Sequence, residues 1–336
     1  MPQYIGVDLH RRRSVTVRMT EAGEVLGTRR FENSSSAFAE VVEAAGEHPE
    51  VVVEAAYGWY WVADVLEDLG ARVHLAHPLG VKGFQYQRVK KDETDARHLA
   101  DLLRLGMLPE AWLAPAEVRE LRERVRHRAA LVAWRSSVRA HVHAVLAKEG
   151  IAVSVSDLFG KAGREQLSTV RLAPAYQDRI EALLRLHEVL DSEVETAMAQ
   201  TRRAFVRRPE YAWVQQVPGV GPVLGAVFVA EIGEVSRFRS AEAICCWAGL
   251  TPKHRESDTT VHRGRITKQG SKLVRWAAIE AVHHLPRGSR LFGQLGALAR
   301  RRGHNVAATA VARKLLVLVY YAMRDGGLRG PQRQVA

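Results

Sequence analysis

Three strand-like runs stand one after another at the start of this chain, and strand and helix patterns then alternate. "PQYIGVD" (2–8), "SVTVRM" (14–19) and "EVLGTRRF" (24–31) are short, rich in β-branched residues and joined by polar turns. "SSSAFAEVVEAAGEH" follows as a helix, with a serine cap at its front and Gly46 near its end. "EVVVEAA" is a buried strand, "WYWVADVLEDLG" a helix closed by Gly70, and "ARVHLAHP" another strand. A further helix begins near Asp92. The order βββαβαβα implies a meander continued by crossovers, hence parallel pairing beside the first strand.

The strand signals stop near Pro115. Residues 116–148 and about 175–206 are charged helices, and the second carries a heptad-like seam of Ile180, Leu183, Leu190, Val194 and Ala197. His187 sits at a weak position in that seam. An antiparallel pair is the simplest arrangement, with "GIAVSVSDLFGKAG" as its turn and a second subunit as a candidate partner. Residues 208–325 are mostly helical, interrupted by the basic stretch 251–272, and "GGLRGPQRQVA" is expected to be a disordered tail.

Two acids lie where acids are costly. Asp8 sits in "YIGVDLH" and Glu54 in "VVVEAA", each within an apolar strand where an unpaired charge is destabilising. Asp92 and Asp95, in "KKDETDARHLADLL" (90–103), are nearly one helical turn apart. Alone, those two suit a helix cap and a first-turn acid, paired with Lys90, Lys91 or Arg97. The βββα order puts the strand of Glu54 beside the central strand of Asp8, with the helix of Asp92 packing back over them. Four converging carboxylates then call for a cation. Mg²⁺ suits such an oxygen-rich cluster, with Mn²⁺ a second choice, and paired metals support phosphodiester chemistry.

Charge points the same way. The chain of 336 residues has a net charge of +12. From Arg207 onward there are 21 Lys or Arg against 8 Asp or Glu, so the whole excess lies in the last third. Such segregation predicts a polyanion partner, nucleic acid before an anionic membrane. No apolar stretch approaches membrane length, so no membrane partner is expected. The only cysteines, Cys245 and Cys246, are adjacent, which favours a reducing, cytoplasmic setting.

Within the basic third, "VPGVGPVLGAVFV" has the form of a helix–hairpin–helix. A helix runs through Trp213 and Val217, and a second begins at Pro222. Gly219 and Gly221 would let backbone amides approach a phosphate. As a dinucleotide fingerprint its glycine spacing is one residue too long. Residues 253–275 hold Lys253, Arg255, Arg263, Arg265, Lys268, Lys272 and Arg275 against two acids, enough to surround a phosphodiester. A hydroxyl there could attack phosphorus, and chemistry alone leaves Ser257, Thr259, Thr260 and Ser271 open. His254 and His262 are not assigned a catalytic role, and His283 and His284 suit a core or interface better than a metal. Tyr57, Trp59, Tyr60 and Trp61 are expected to be the packed start of a helix rather than a base-stacking platform.

"YIGVDLH", "VVVEAA" and "KKDETDARHLADLL" resemble the acidic motifs of the DEDD transposases of the insertion-sequence-110 family. "VPGVGPVLGAVFVAEIG", "AGLTPKHRES" and "ITKQGSKLVRWA" extend the resemblance through the C-terminal part. It implies an RNase H/RuvC-like domain over residues 1–112, a helical dimerisation region over 113–206 and a serine-bearing domain over 207–326, with the tail at 327–336. Asp8, Glu54, Asp92 and Asp95 match the acidic tetrad that carries metal and catalysis, and Ser257 matches the nucleophile. The family further implies a covalent phosphoserine–DNA intermediate, donor and target DNA, a structured guide RNA, and a dimer that becomes a tetramer on DNA in a prokaryotic cytoplasm. An invertase of the same family, or a RuvC-like metal-dependent nuclease acting as a Holliday-junction resolvase, are the alternatives. In "EAAYGWYW" the chain departs from the family pattern by an extra residue and several aromatics.

Overall fold

The computed structural model describes residues 3–84, 91–258 and 260–328, with the backbone alone at 255 and 261–263. Lys90, Thr259 and the tail from 329 lie outside the described residues, as do the side chains of Arg255, His262 and Arg263. Two compact units are present, Met1–Ala114 and Pro115–Ala336. The architecture is mixed α/β at the N-terminus and helical after it.

In the first unit, β1 (Tyr4–Leu9), β2 (Arg13–Met19) and β3 (Val25–Glu32) form the meander. Next come α1 (Ser35–Glu43), β4 (Glu50–Glu54), α2 (Trp59–Asp68), β5 (Arg72–Ala76), the single turn α3 (Pro78–Val81), α4 (Asp92–Arg104) and the two-residue β6 (Glu110–Ala111). The sheet order is β3-β2-β1-β4-β5-β6, with β1–β4 and β4–β5 parallel and the other pairs antiparallel. The first strand is therefore central, as the crossover pattern predicts. β6 is too short to leave a period in the sequence.

Strand alternation divides the core between two faces. Ile5, Val7, Leu9, Val51 and Val53 pack with Phe38, Val41 and Val42 of α1 and with Val62 and Leu66 of α2. On the other face Val52 and Ala76 meet Leu99, Leu102 and Leu103 of α4, while Val15 and Val17 meet Ala96. Ser34 caps α1 by accepting from the Ala37 amide at 3.1 Å. The aromatic cluster is less packed than expected. Trp59 lies against the α1–α2 core and Trp61 meets Phe38 edge-on at 5.7 Å, but Tyr57 is 73% exposed.

In the second unit, α5 (Ala116–Lys148) packs against α7 (Pro174–Phe205), and the connection between them holds a further helix, α6 (Lys161–Thr169). Ile180, Leu190, Val194 and Ala197 are buried. His187 joins them, stacked on Phe159 at 4.6 Å and accepting from Arg139 Nε at 2.8 Å. Burial, then the Arg139 charge, pull its pKa below the usual histidine value, so it sits in the seam as a neutral acceptor. Unfolding releases it to its ordinary pKa of about 6.5. Its contribution is thus fully present above that pH and is lost as the pH falls toward the lower folded-state value. Urea unfolding at pH 7.5 and pH 5 is expected to show a larger acid-induced drop in wild type than in His187→Leu. Equal drops would show that the imidazole is not responsible.

After α7 come α8 (Pro209–Val214), α9 (Pro222–Ile232), α10 (Ala241–Trp247), β7 (Pro252–Ser257), β8 (Thr260–Ile266), α11 (Lys272–His283), α12 (Arg290–Arg302) and α13 (His304–Asp325). The basic stretch that interrupts the helices at 251–272 is mostly an antiparallel hairpin, β7–β8, with Ser257 opposite Thr260. Its charged residues hide the strand, because both faces are largely exposed and no apolar alternation is needed. α13 is long and apolar enough to cross a bilayer by length and composition, although Arg313 and Lys314 interrupt its apolar run; its Val311, Leu315, Leu316 and Val319 are buried in the core of this unit.

Candidate active site

β1 brings its acid to the α4 face by simple alternation. Tyr4 packs on the cluster of that face, and Asp8 lies four residues further along the strand. In the parallel ladder Val7 pairs with Val53, so Asp8 and Glu54 follow as the next neighbours on adjoining strands, about 4.8 Å apart along the hydrogen-bonding direction. On the other side Asp8 pairs with Val15, and Val15 with Arg30. Glu54, Asp8, Val15 and Arg30 thus form one row across four strands.

α4 reaches this row because Gly6 has no side chain. A Cβ at position 6 would lie 1.8 Å from the Ala96 carbonyl oxygen and 2.8 Å from the Ala100 amide nitrogen. The helix backbone rests directly on the strand, with small Ala96 and Ala100 at the contact. One turn before Ala96 stands Asp92. Lys91, not Asp92, is the N-cap residue, and it makes no side-chain capping bond. Asp92 is the first helical residue, and its carboxylate faces the sheet's groups. Its Oδ1 is 3.5 Å from His10 Nε2 and its Oδ2 is 3.7 Å from the Arg30 guanidinium. The same His10 Nε2 is 3.2 Å from Asp8 Oδ2.

Asp8, His10 and Asp92 offer ligand atoms that all lie within 4.8 Å of one another. Neither Glu54 nor Asp95 contributes an atom to that group; both are half-buried, on the adjoining strand and in the first turn of α4. Glu93, between the aspartates, accepts from Thr28 Oγ1 at 3.2 Å. Carboxylate oxygens with one imidazole nitrogen, gathered at a helix N-terminus, suit a hard divalent cation. His10 and Arg30 escape the sequence argument, although His10 carries a signal: it lies two residues beyond Asp8, the spacing that repeats a strand face.

In the second unit Ser257 ends β7 with its hydroxyl exposed, beside Asp258 in the left-handed region (φ 52°). Lys253, Arg265, Lys268 and Lys272 are exposed around the hairpin and the start of α11. Ser271 is otherwise engaged, capping α11 through the Val274 amide (3.2 Å) and bonding to Glu231 Oε2 (3.1 Å). Glu231 is a buried acid that the sequence analysis does not single out; it receives both Arg126 nitrogens, at 2.7 and 3.1 Å. Arg275 directs its Nη1 to the carbonyls of Ala248 (2.8 Å) and Gln269 (3.2 Å), and burial lowers its pKa.

The glycine turn divides in two. Gly219 (φ 85°) is required by packing, since a Cβ there would lie 2.1 Å from the Ala281 carbonyl oxygen. Gly221 faces open space, at the edge of a largely apolar cavity of about 1020 Å³ that Trp276 and Arg128 also line. The helix before the turn stops at Val214, leaving Val217 buried within the turn. His283 and His284, expected in a core or interface, are exposed. His283 stacks on His304 and His284 meets Glu280.

Two family models match this chain. A transposase model, DEDD_Tnp_IS110, covers residues 5–150, and the model described as Transposase IS116/IS110/IS902 family covers 211–292. The chain belongs to the IS116/IS110/IS902 family of transposases. The transposase is 26% identical to a Sinorhizobium fredii protein named as the transposase y4qE, over 72% of this chain and 60% of that relative. It is 27% identical to a family 20 transposase of Pseudomonas aeruginosa, over 79% of this chain and 80% of the relative. With the transposase for insertion sequence element IS1111A of Coxiella burnetii the identity is 22%, over 94% and 88%.

Proposed function

We propose that this transposase cleaves and rejoins DNA strands with Ser257 as nucleophile, assisted by an acidic site built from Asp8, Glu54, Asp92 and Asp95. The observation that carries it is the meeting of Asp8 and Asp92, from strand and helix, at one imidazole. Those four acids would hold Mg²⁺, or Mn²⁺, which would supply charge stabilisation to the phosphodiester oxygens. The exposed hydroxyl of Ser257 attacks phosphorus while the phosphorus–oxygen bond to the sugar breaks. The hydroxyl proton leaves to solvent and the departing sugar oxygen takes one up. Reversal with a different strand end rejoins DNA. The divisions 1–112, 113–206 and 207–326 then separate an RNase H/RuvC-like acidic domain, a dimerisation pair and the serine domain.

The direct test is to trap the protein on nicked DNA carrying its native element ends and map the attachment by peptide mass spectrometry. A phosphodiester-derived adduct on Ser257 is the expected result. Attachment at Thr260 or Ser271 would move the role to that hydroxyl, and strand cleavage without any adduct would remove Ser257 and leave hydrolysis by the acids, as in a resolvase.

Lys253, Arg265, Lys268 and Lys272 are proposed to contact phosphates, together with Arg255, Arg263 and the backbone at Gly221. Each lysine-to-glutamine change should make the negative slope of log binding constant against log salt shallower by about 0.9 on duplex DNA. An unchanged slope would place that lysine outside the interface. Contacts of this kind carry no sequence information, so a structured RNA is proposed to supply it by base pairing. Exposed Trp134, Leu186 and Val189 on the α5–α7 pair offer apolar surface to a second copy. Sequencing of co-purified RNA and light scattering of the protein test these two partners; random RNA fragments and a monomer would refute them.

A further inference from the structure

We propose that His10 is itself a metal ligand, completing a set with Asp8 and Asp92, and that its imidazole makes this site prefer Mn²⁺ to Mg²⁺. The inference rests on the reading that the acidic site holds a divalent cation.

Geometry gathers the three donor atoms at one point. His10 Nε2 stands 3.2 Å from Asp8 Oδ2 and 3.5 Å from Asp92 Oδ1. Neighbouring ligands on an octahedral ion at about 2.1 Å lie about 3.0 Å apart, and opposite ones about 4.2 Å apart. Separations of 3.2 and 3.5 Å, in a group bounded by 4.8 Å, fall between those two values. One nitrogen faces both carboxylates, as it must if all three atoms share a central ion.

The backbone of His10 is also held in place from behind. The His10 amide donates to the Arg13 carbonyl at 3.1 Å, closing the turn after β1. Its carbonyl accepts from Asn33 Nδ2 at 2.7 Å, and Asn33 Oδ1 in turn accepts from the buried Ser14 hydroxyl at 2.7 Å. The anchoring fixes where the imidazole starts, which is what a ligand requires.

Ligand type then decides the ion. Mg²⁺ holds oxygen donors and water and gains little from imidazole, whereas the later first-row ions bind nitrogen donors more tightly. Mn²⁺ keeps the oxygen preference that the carboxylates satisfy and still accepts one nitrogen.

The test uses the full-length protein titrated with MnCl₂ and read by pulsed electron paramagnetic resonance. Bound Mn²⁺ should show coupling to one imidazole ¹⁴N, replaced by the ¹⁵N pattern after histidine labelling. In His10→Ala the coupling should vanish and the Mn²⁺ dissociation constant should rise about tenfold, while that for Mg²⁺, measured by competition, moves less than about twofold. Circular dichroism and urea unfolding of His10→Ala should match wild type, since the side chain is exposed. Mn²⁺ bound without nitrogen coupling, or coupling that survives in His10→Ala, overturns the assignment of His10 and leaves the acidic metal site standing. No Mn²⁺ binding by wild type overturns both.

Discussion

Asp92→Ala is expected to lower the yield of recombinant junctions by on the order of 10³-fold in cells carrying the gene with its native flanks. A metal ligand lost from the phosphoryl-transfer site removes several kcal/mol of transition-state stabilisation. A helix cap lost from α4 would remove only about 1 kcal/mol of stability and leave chemistry in place. The two roles are separable here because Lys91 occupies the cap position and Asp92 turns its oxygens toward His10 and Arg30. α4 keeps its buried Leu99, Leu102 and Leu103 in the variant, so urea unfolding should shift little. Ser257→Ala is the companion measurement, with a loss at least as large, because it removes the proposed nucleophile itself. Junctions retained within tenfold by Asp92→Ala would sink the acidic site. Loss in Asp92→Ala with retention in Ser257→Ala would assign the chemistry to the acids alone.

Gly6→Ala should destabilise the first unit by about 3 kcal/mol, near the upper end of ordinary overpacking costs. The added methyl meets backbone on both sides, the Ala96 carbonyl oxygen and the Ala100 amide nitrogen, neither of which can swing away as a side-chain tip would. α4 must lift from β1, and its first turn carries Asp92 with it. Gly6→Ala should therefore lower Mn²⁺ affinity and junction yield as well as the unfolding midpoint, although the substitution touches no acid. Gly293→Ala is the control. It lies within α12 with open space around it, and a helical glycine replaced by alanine gains about 0.5–1 kcal/mol. An unchanged midpoint in Gly6→Ala would show that the helix is not seated on the strand.

Sequence alone determined the meander, the crossovers and the central place of β1, because strand and helix periods are local and the connections allow few orders. It also placed Asp8 beside Glu54 and the helix of Asp92 over them, a serine cap at the front of α1, and helix ends near Gly46 and Gly70. The hairpin β7–β8 was hidden, since a strand pair exposed on both faces needs no apolar alternation. Likewise, the neutrality of His187 depends on Phe159 and Arg139, which come from separate elements.

Convergence at the site was decided only by tertiary structure. Gly6 could have been read as a turn or a bulge until Ala96 was found pressed against it. Gly219 could have been read as a phosphate cradle until the Ala281 carbonyl appeared in the space where its Cβ would be. Arg30 joins Asp92 only through the antiparallel register of β2 with β3, and His10 faces both aspartates only because α4 rests on bare backbone. Periodicity records which face a residue takes. How closely two faces approach depends on side chains far apart in the chain, and that spacing determines which carboxylates, cations and imidazoles meet.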